Sequence, residues 1–168
     1  MRQQAQMVGG VRLYGGTSWQ RVRMPPEVVW QVILDTPRYP AVLPQVTEAR
    51  VVRQNGSKRL VHFRHGHGLL SLQYHLVMNC SNSAHAVQFY IDQSRPRSLR
   101  QGRGFLVVRP HGQGQSLIVF NVFADLGTGM ISSILRPQIQ DGILRVPYSI
   151  KRYVEGRAQE TYLSSIRE

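Results

Sequence analysis

The side chains that could do chemistry are few, and most of them fall between residues 62 and 103. His62, His65 and His67 sit on one alternating run and His75 on the next. In an extended strand His65 and His67 share a face and His62 takes the other. Two histidines joined by His75 could begin a metal site. Tetrahedral sites need three or four converging ligands, however, and no acidic residue or cysteine stands close by in this run. The histidines are therefore read as polar tips of a pocket or as surface side chains, and no metal or other cofactor is expected. An acid–base enzyme would need a group of tuned pKa inside a cavity. His65, His67, Tyr74, Tyr90, Asp92 and Arg103 are the polar groups that could point inward, but they form no known constellation. The chain has no GxSxG, HExxH or Walker loop. Cys80 is the single cysteine, which excludes an intramolecular disulfide. Beside the turn at Ser81 and Asn82 it reads as an inert thiol.

Charge is the second chemical feature. The 168 residues carry 21 basic and 9 acidic side chains, a net charge of +12, and all the basic ones except Lys58 and Lys151 are arginine. Such an excess attracts polyanions, whether membrane, nucleic acid or ribosome. Arg95, Arg97, Arg100 and Arg103 crowd around Pro96 as a candidate contact with an anionic surface. That loop has little aromatic interleaving, which disfavours stacking on single-stranded bases. A solvated basic loop is the alternative.

These groups need elements to position them. Residues 17–24 read as an opening strand, and 1–16 as a flexible lead-in interrupted by glycines. Strands follow at 47–54 and 58–67, joined by an Asn55-Gly56 hairpin signal. Residues 69–79 alternate cleanly, with Leu70, Leu72, Tyr74, Leu76 and Met78 on one face. Further strands are expected over 84–92, 104–109 and 116–125. From Ile131 to Tyr153 apolar residues recur every three or four positions, the pattern of one long helix, with Pro137 and Pro147 kinking it. The tail beyond 156 is polar. No window of about 18 apolar residues suggests a membrane-spanning helix, and the expected location is cytoplasmic, with peripheral membrane contact as an option. Consecutive hairpins give an antiparallel sheet, and one long helix against it gives an α+β two-layer domain spanning 17–156.

Residues 24–44 are the most distinctive stretch. Pro25 and Pro26 suit a helix start, where the first amides need no partner. Val28, Val29, Trp30, Val32, Ile33 and Leu34 make the helix apolar, and Asp35-Thr-Pro37 stops it. A helix this short is unstable alone and must press on something larger.

This run, Val28-x-Trp30-x-x-Ile33-x-Asp35-x-x-x-Tyr39-Pro40-x-x-Leu43-Pro44-x-Val46, resembles the opening motif of the polyketide cyclase/coenzyme Q-binding subfamily of the START-like (SRPBCC) superfamily. Gly104-Phe105-x-Val107-x-x-Pro110 is similar to that subfamily's glycine–aromatic–apolar–proline strand, with phenylalanine where tryptophan is frequent. The resemblance implies a helix-grip fold: a curved antiparallel sheet of about six or seven strands around a long C-terminal helix, with one or two short helices after the first strand. It also implies a deep apolar cavity between sheet and helix, its mouth bordered by Tyr39 and Leu43. Alternation nominates Leu72, Tyr74, Leu76, Met78, Val87, Phe89, Phe105, Val107, Ile118, Phe120 and Val122 as its sheet side. The helix would add Ile131, Leu135, Ile139, Ile143 and Val146. All of these could equally be filled core.

Three functions follow from the resemblance and the charge. The first is a carrier or chaperone for a hydrophobic small molecule or lipid, quinone- or polyketide-like, docking on an anionic membrane. The second is a polyketide cyclase/aromatase working in the same cavity. The third is a basic regulator associated with ribosome or RNA.

Overall fold

The computed structural model describes residues 1–67, 70–125 and 136–156. Eight strands form one wholly antiparallel sheet: β1 Arg2–Val8, β2 Val11–Val22, β3 Val46–Asn55, β4 Lys58–His67, β5 Leu70–Ser81, β6 Ala86–Ile91, β7 Gly102–Pro110 and β8 Ser116–Ala124. Their order across the sheet is β1-β2-β8-β7-β6-β5-β4-β3. Every connection from β3 to β8 is a hairpin between neighbours. Between β2 and β3 lie α1 (Pro26–Leu34), a 3-10 turn (Thr36–Arg38) and α2 (Tyr39–Val42). This is the α+β helix-grip architecture, with one strand more than expected.

That extra strand corrects the flexible lead-in expected before residue 17. Arg2–Val8 pairs along its whole length with Val11–Thr17. The glycines read as interruptions are the turn itself: Gly9 and Gly10 have φ of 56° and 79°. A two-residue loop with positive φ at both positions matches the twist of the strands it joins. The hairpin at residue 56 is also a two-residue loop, Gly56-Ser57, with Asn55 facing Lys58 across it and positive φ at Gly56 alone.

The expected long C-terminal helix is two. α3 runs Arg136–Leu144 and α4 Val146–Glu155, and the break falls at Arg145. Pro147 lies in the first turn of α4, where its missing N–H removes no helical bond. Glu155 anchors the end of α4 by accepting hydrogen bonds from the Arg23 amide (2.7 Å) and guanidinium (3.3 Å). The helix expected at Ile131 and Leu135, and the expected tail at 157–168, lie outside the described residues.

α1 packs on β7, β8 and α4. Val28, Val29, Val32 and Ile33 are buried, with Ile118 and Val22 beneath them in the same cluster. Trp30 is buried too, and its indole N–H donates to Asn82 at 3.1 Å. The helix end is held by Arg59, whose guanidinium donates to the Leu34 carbonyl at 2.6 Å. α1 therefore fills one end of the sheet's inner face, and the other end lies under α3 and α4.

An apolar cavity between sheet and helices

Under α4 the filling is incomplete. A cavity of about 380 Å³ lies between the sheet, α2 and the α3–α4 junction. That volume is within the range of pockets that enclose a drug-sized ligand. Its sheet wall comes from β4 to β8, with Val46 at the start of β3. Register explains which residues contribute: Phe63 faces Tyr74, Met78 faces Phe89, and Leu106 faces Phe120. Directly paired residues share a face.

Of the residues nominated from sequence, Tyr39, Leu43, Tyr74, Leu76, Phe89, Phe120 and Ile143 border this cavity, as do Met78, Val87, Val122 and Val146. The others lie elsewhere. Phe105 and Val107 belong to the opposite face of β7: Phe105 is exposed, while Leu106 and Val108 between and beyond them are buried. Both faces of β7 are apolar, so alternation alone carried no phase. Ile118 is on the inner face but fully buried under α1, where no space is left. Leu72 pairs with His65 and is half-buried, beyond the cavity wall. Ile139 packs instead with Ile91, Leu99 and Ala124. Leu135 lies outside the described residues.

Tyr39 and Leu43 separate. Tyr39 is buried and its hydroxyl donates to the Ile33 carbonyl, so it locks the turn onto the end of α1. Burial raises its pKa, with Cys80 adding to the rise. Leu43 is half-buried at the cavity edge, beside Pro44 and Gln45. On the α4 side Arg145, Tyr148, Ser149 and Arg152 line the opening. Among the described residues no carboxylate lines the cavity.

The cavity wall has one conspicuous polar pair. The Tyr74 hydroxyl and His65 Nε2 are 2.7 Å apart. Phe63 stacks on both rings, at 5.7 and 6.2 Å between centroids. Burial pushes the His65 imidazole down to about 4, and burial raises the Tyr74 phenol. Both are therefore uncharged at neutral pH. They offer a hydrogen bond in an apolar wall, not a charge. Alternation along β4 was the signal for Phe63 and His65, and it becomes readable once the Gly56 hairpin fixes register with β5.

The histidines divide between the two faces. His62 and His75 are directly opposed on the outer face, ring centroids 4.9 Å apart, with Glu48 3.4 Å from His62. Among the described residues no group of three or more histidine, cysteine or acidic side chains could hold a metal. Cys80 is buried, and burial raises its pKa.

The arginine loop is partly self-satisfied. Arg97 donates to the carbonyls of Gln93, Arg95 and Arg100. Arg95 pairs with Asp92 at 3.3 Å. Arg100 is exposed, and buried Leu99 pins the loop to the second apolar cluster. Arg103 lies beyond the loop, exposed on β7, in register with Tyr90 and Phe123 on the outer face of the sheet.

Solved structures share this arrangement. The chain superposes on TTHA0849 of Thermus thermophilus with a TM-score of 0.71 at 14% identity, covering 89% of this chain and 97% of that one. An aromatase/cyclase from Streptomyces sp. R1128 gives 0.68 at 12% identity, covering 85% and 95%. A START superfamily protein from Mycobacterium smegmatis gives 0.67 at 10% identity, covering 86% and 97%. These identities establish a shared fold. No curated protein matches by sequence. The sequence model for polyketide cyclase / dehydrase and lipid transport proteins matches residues 17–146, from the middle of β2 to the first residue of α4. With the eight-stranded grip, the motif around α1 and that match over most of its length, the chain belongs to this family of the START-like SRPBCC superfamily.

Proposed function

We propose that this protein binds a hydrophobic small molecule or lipid in the cavity under α4 and acts as its carrier or chaperone. The observation that carries the reading is an unfilled apolar cavity of about 380 Å³ whose wall offers the uncharged Tyr74–His65 pair. Removing apolar surface from water drives such binding, and one or two polar groups orient the ligand. Arg152 at the opening, with no carboxylate lining the cavity among the described residues, favours a ligand whose polar end is anionic; Arg145 beside it is paired with Asp141. A quinone- or polyketide-like body fits the aromatic wall of Phe63, Phe89 and Phe120.

The direct test is native mass spectrometry of the purified protein, with solvent extraction of whatever co-purifies. A stoichiometric apolar molecule supports the carrier reading. An empty protein that binds no lipid, quinone or aromatic probe overturns it.

One observation favours a second reading, an aromatase/cyclase. His65 is neutral, half-buried and held by Tyr74, so it is available to accept a proton from a bound ketone chain. Turnover of a poly-β-ketone substrate, lost in His65→Gln while ligand still binds, separates enzyme from carrier.

A further inference from the structure

The outer face of the sheet, away from the cavity, carries three of the chain's exposed large apolar side chains. Trp19 on β2 is 49% exposed, Tyr90 on β6 44% and Phe105 on β7 38%. Register places them on one face. Trp19, Val119 and Val107 form one row across β2, β8 and β7. Two residues along, Arg2, Thr17, Asn121, Phe105 and Gln88 form the next. The row after that pairs Phe123, Arg103 and Tyr90. On the other side of the Trp19 row lies Arg21–Leu117–Arg109. Arg21, Arg103 and Arg109 are all exposed.

The three aromatic rings therefore step diagonally across the sheet. Tyr90 is the diagonal neighbour of Phe105, about 7–8 Å away. Trp19 lies two strands and two residues from Phe105, about 12 Å by strand geometry. Arginines stand at both ends of the diagonal. No outward-facing residue in these rows is acidic. The face thus combines separated aromatic planes, neutral amides at Asn121 and Gln88, and three exposed arginines.

We propose that this face binds single-stranded nucleic acid, bases stacking on Trp19, Phe105 and Tyr90 and phosphates meeting Arg21, Arg103 and Arg109. Base stacking needs isolated, exposed π-faces, and the phosphate chain needs cations beside them. A lipid surface fits less well. Side chains here stand on a sheet face several strands wide and not on a projecting tip, and Thr17, Asn121 and Gln88 separate the aromatic groups from one another. The arginine loop at 93–100 lacks aromatic partners in sequence, whereas sheet register gives them to Arg21, Arg103 and Arg109.

The test is fluorescence anisotropy with a labelled 12-nucleotide single-stranded RNA at low salt, with duplex RNA as competitor. Binding should quench Trp19 emission, which is distinguishable because Trp30 is buried. Trp19→Ala and Phe105→Ala should each weaken binding about tenfold, since stacking contributes most where the ring is exposed. Arg103→Gln with Arg109→Gln should flatten the slope of log affinity against log salt by about 1.4, at about 0.7 for each phosphate no longer neutralised. These side chains are exposed, and circular dichroism checks that each variant is folded. Equal competition by duplex overturns the proposal, as does unchanged affinity in both alanine variants. Binding to phosphatidylglycerol vesicles with a blue-shifted Trp19 and no affinity for the RNA also overturns it, in favour of a membrane surface.

Discussion

Tyr74 and His65 share a 2.7 Å hydrogen bond across the β4–β5 pair, in a wall otherwise built from aromatic and aliphatic side chains. Neither group carries charge at neutral pH, because burial lowers the imidazole pKa and raises that of the phenol. Tyr74→Phe keeps the ring and removes the bond. It should lower unfolding stability by about 1 kcal/mol, leaving a part-buried nitrogen unpaired. Affinity for a carbonyl-bearing ligand should fall while that for a pure hydrocarbon holds. Urea denaturation and calorimetric titration measure the two effects.

His65 also predicts a pH dependence. Its folded pKa, about 4, lies below the ordinary value of 6.5. Between those values the unfolded chain binds a proton that the folded chain does not. Stability therefore declines as pH falls through 6.5, and the loss is complete below about 4, reaching roughly 3 kcal/mol. Unfolding curves from pH 7.5 to 4 should show this decline, and His65→Gln should flatten it over that window. An unchanged slope in the variant would assign the dependence to other groups.

The cavity opening supplies a third test. Among the described residues Arg152 lines it with no carboxylate beside it, whereas Arg145 is paired with Asp141 at 2.7 Å. A long-chain fatty acid should bind several-fold better than the alcohol of the same length. Arg152→Gln should erase most of that preference and leave the alcohol unaffected, because an exposed ion pair contributes only modestly. Competition against a fluorescent lipid reads both affinities.

Gly104 sits at a tight point of the sheet, against Phe89. A Cβ there would meet the Asn121 carbonyl oxygen at 2.1 Å and the Phe89 ring at 2.6 Å. Backbone cannot yield as a flexible side chain can, so Gly104→Ala should destabilise the protein by about 3 kcal/mol or more. Phe89 would be driven toward the cavity, and the largest ligands should lose most affinity. Thermal unfolding with and without ligand separates the two consequences.

Much of this was legible in the chain itself. The hairpins follow from turn glycines and alternating strands, and α1 from Pro25-Pro26 and the apolar run behind them. The motif through Leu43-Pro44 identified the family. The errors have physical causes. β7 and β8 are apolar on both faces, so Phe105 and Val107 could not be phased without the register to β8. Gly9 and Gly10 looked like breaks because a turn is defined by the strand that returns, and that pairing is non-local.

The sequence determined the elements, their antiparallel order and the surplus of positive charge, because each depends on local pattern or on composition. Tertiary structure decided where space remains. α1 fills the sheet over Ile118 and leaves it open over Phe120 and Val122, a matter of how far one helix reaches. It likewise decided that Tyr39 closes the turn while Leu43 edges the cavity, and that Trp19, Phe105 and Tyr90 share a face with three arginines. Those neighbours are up to 90 residues apart in the chain, and only strand register brings them together.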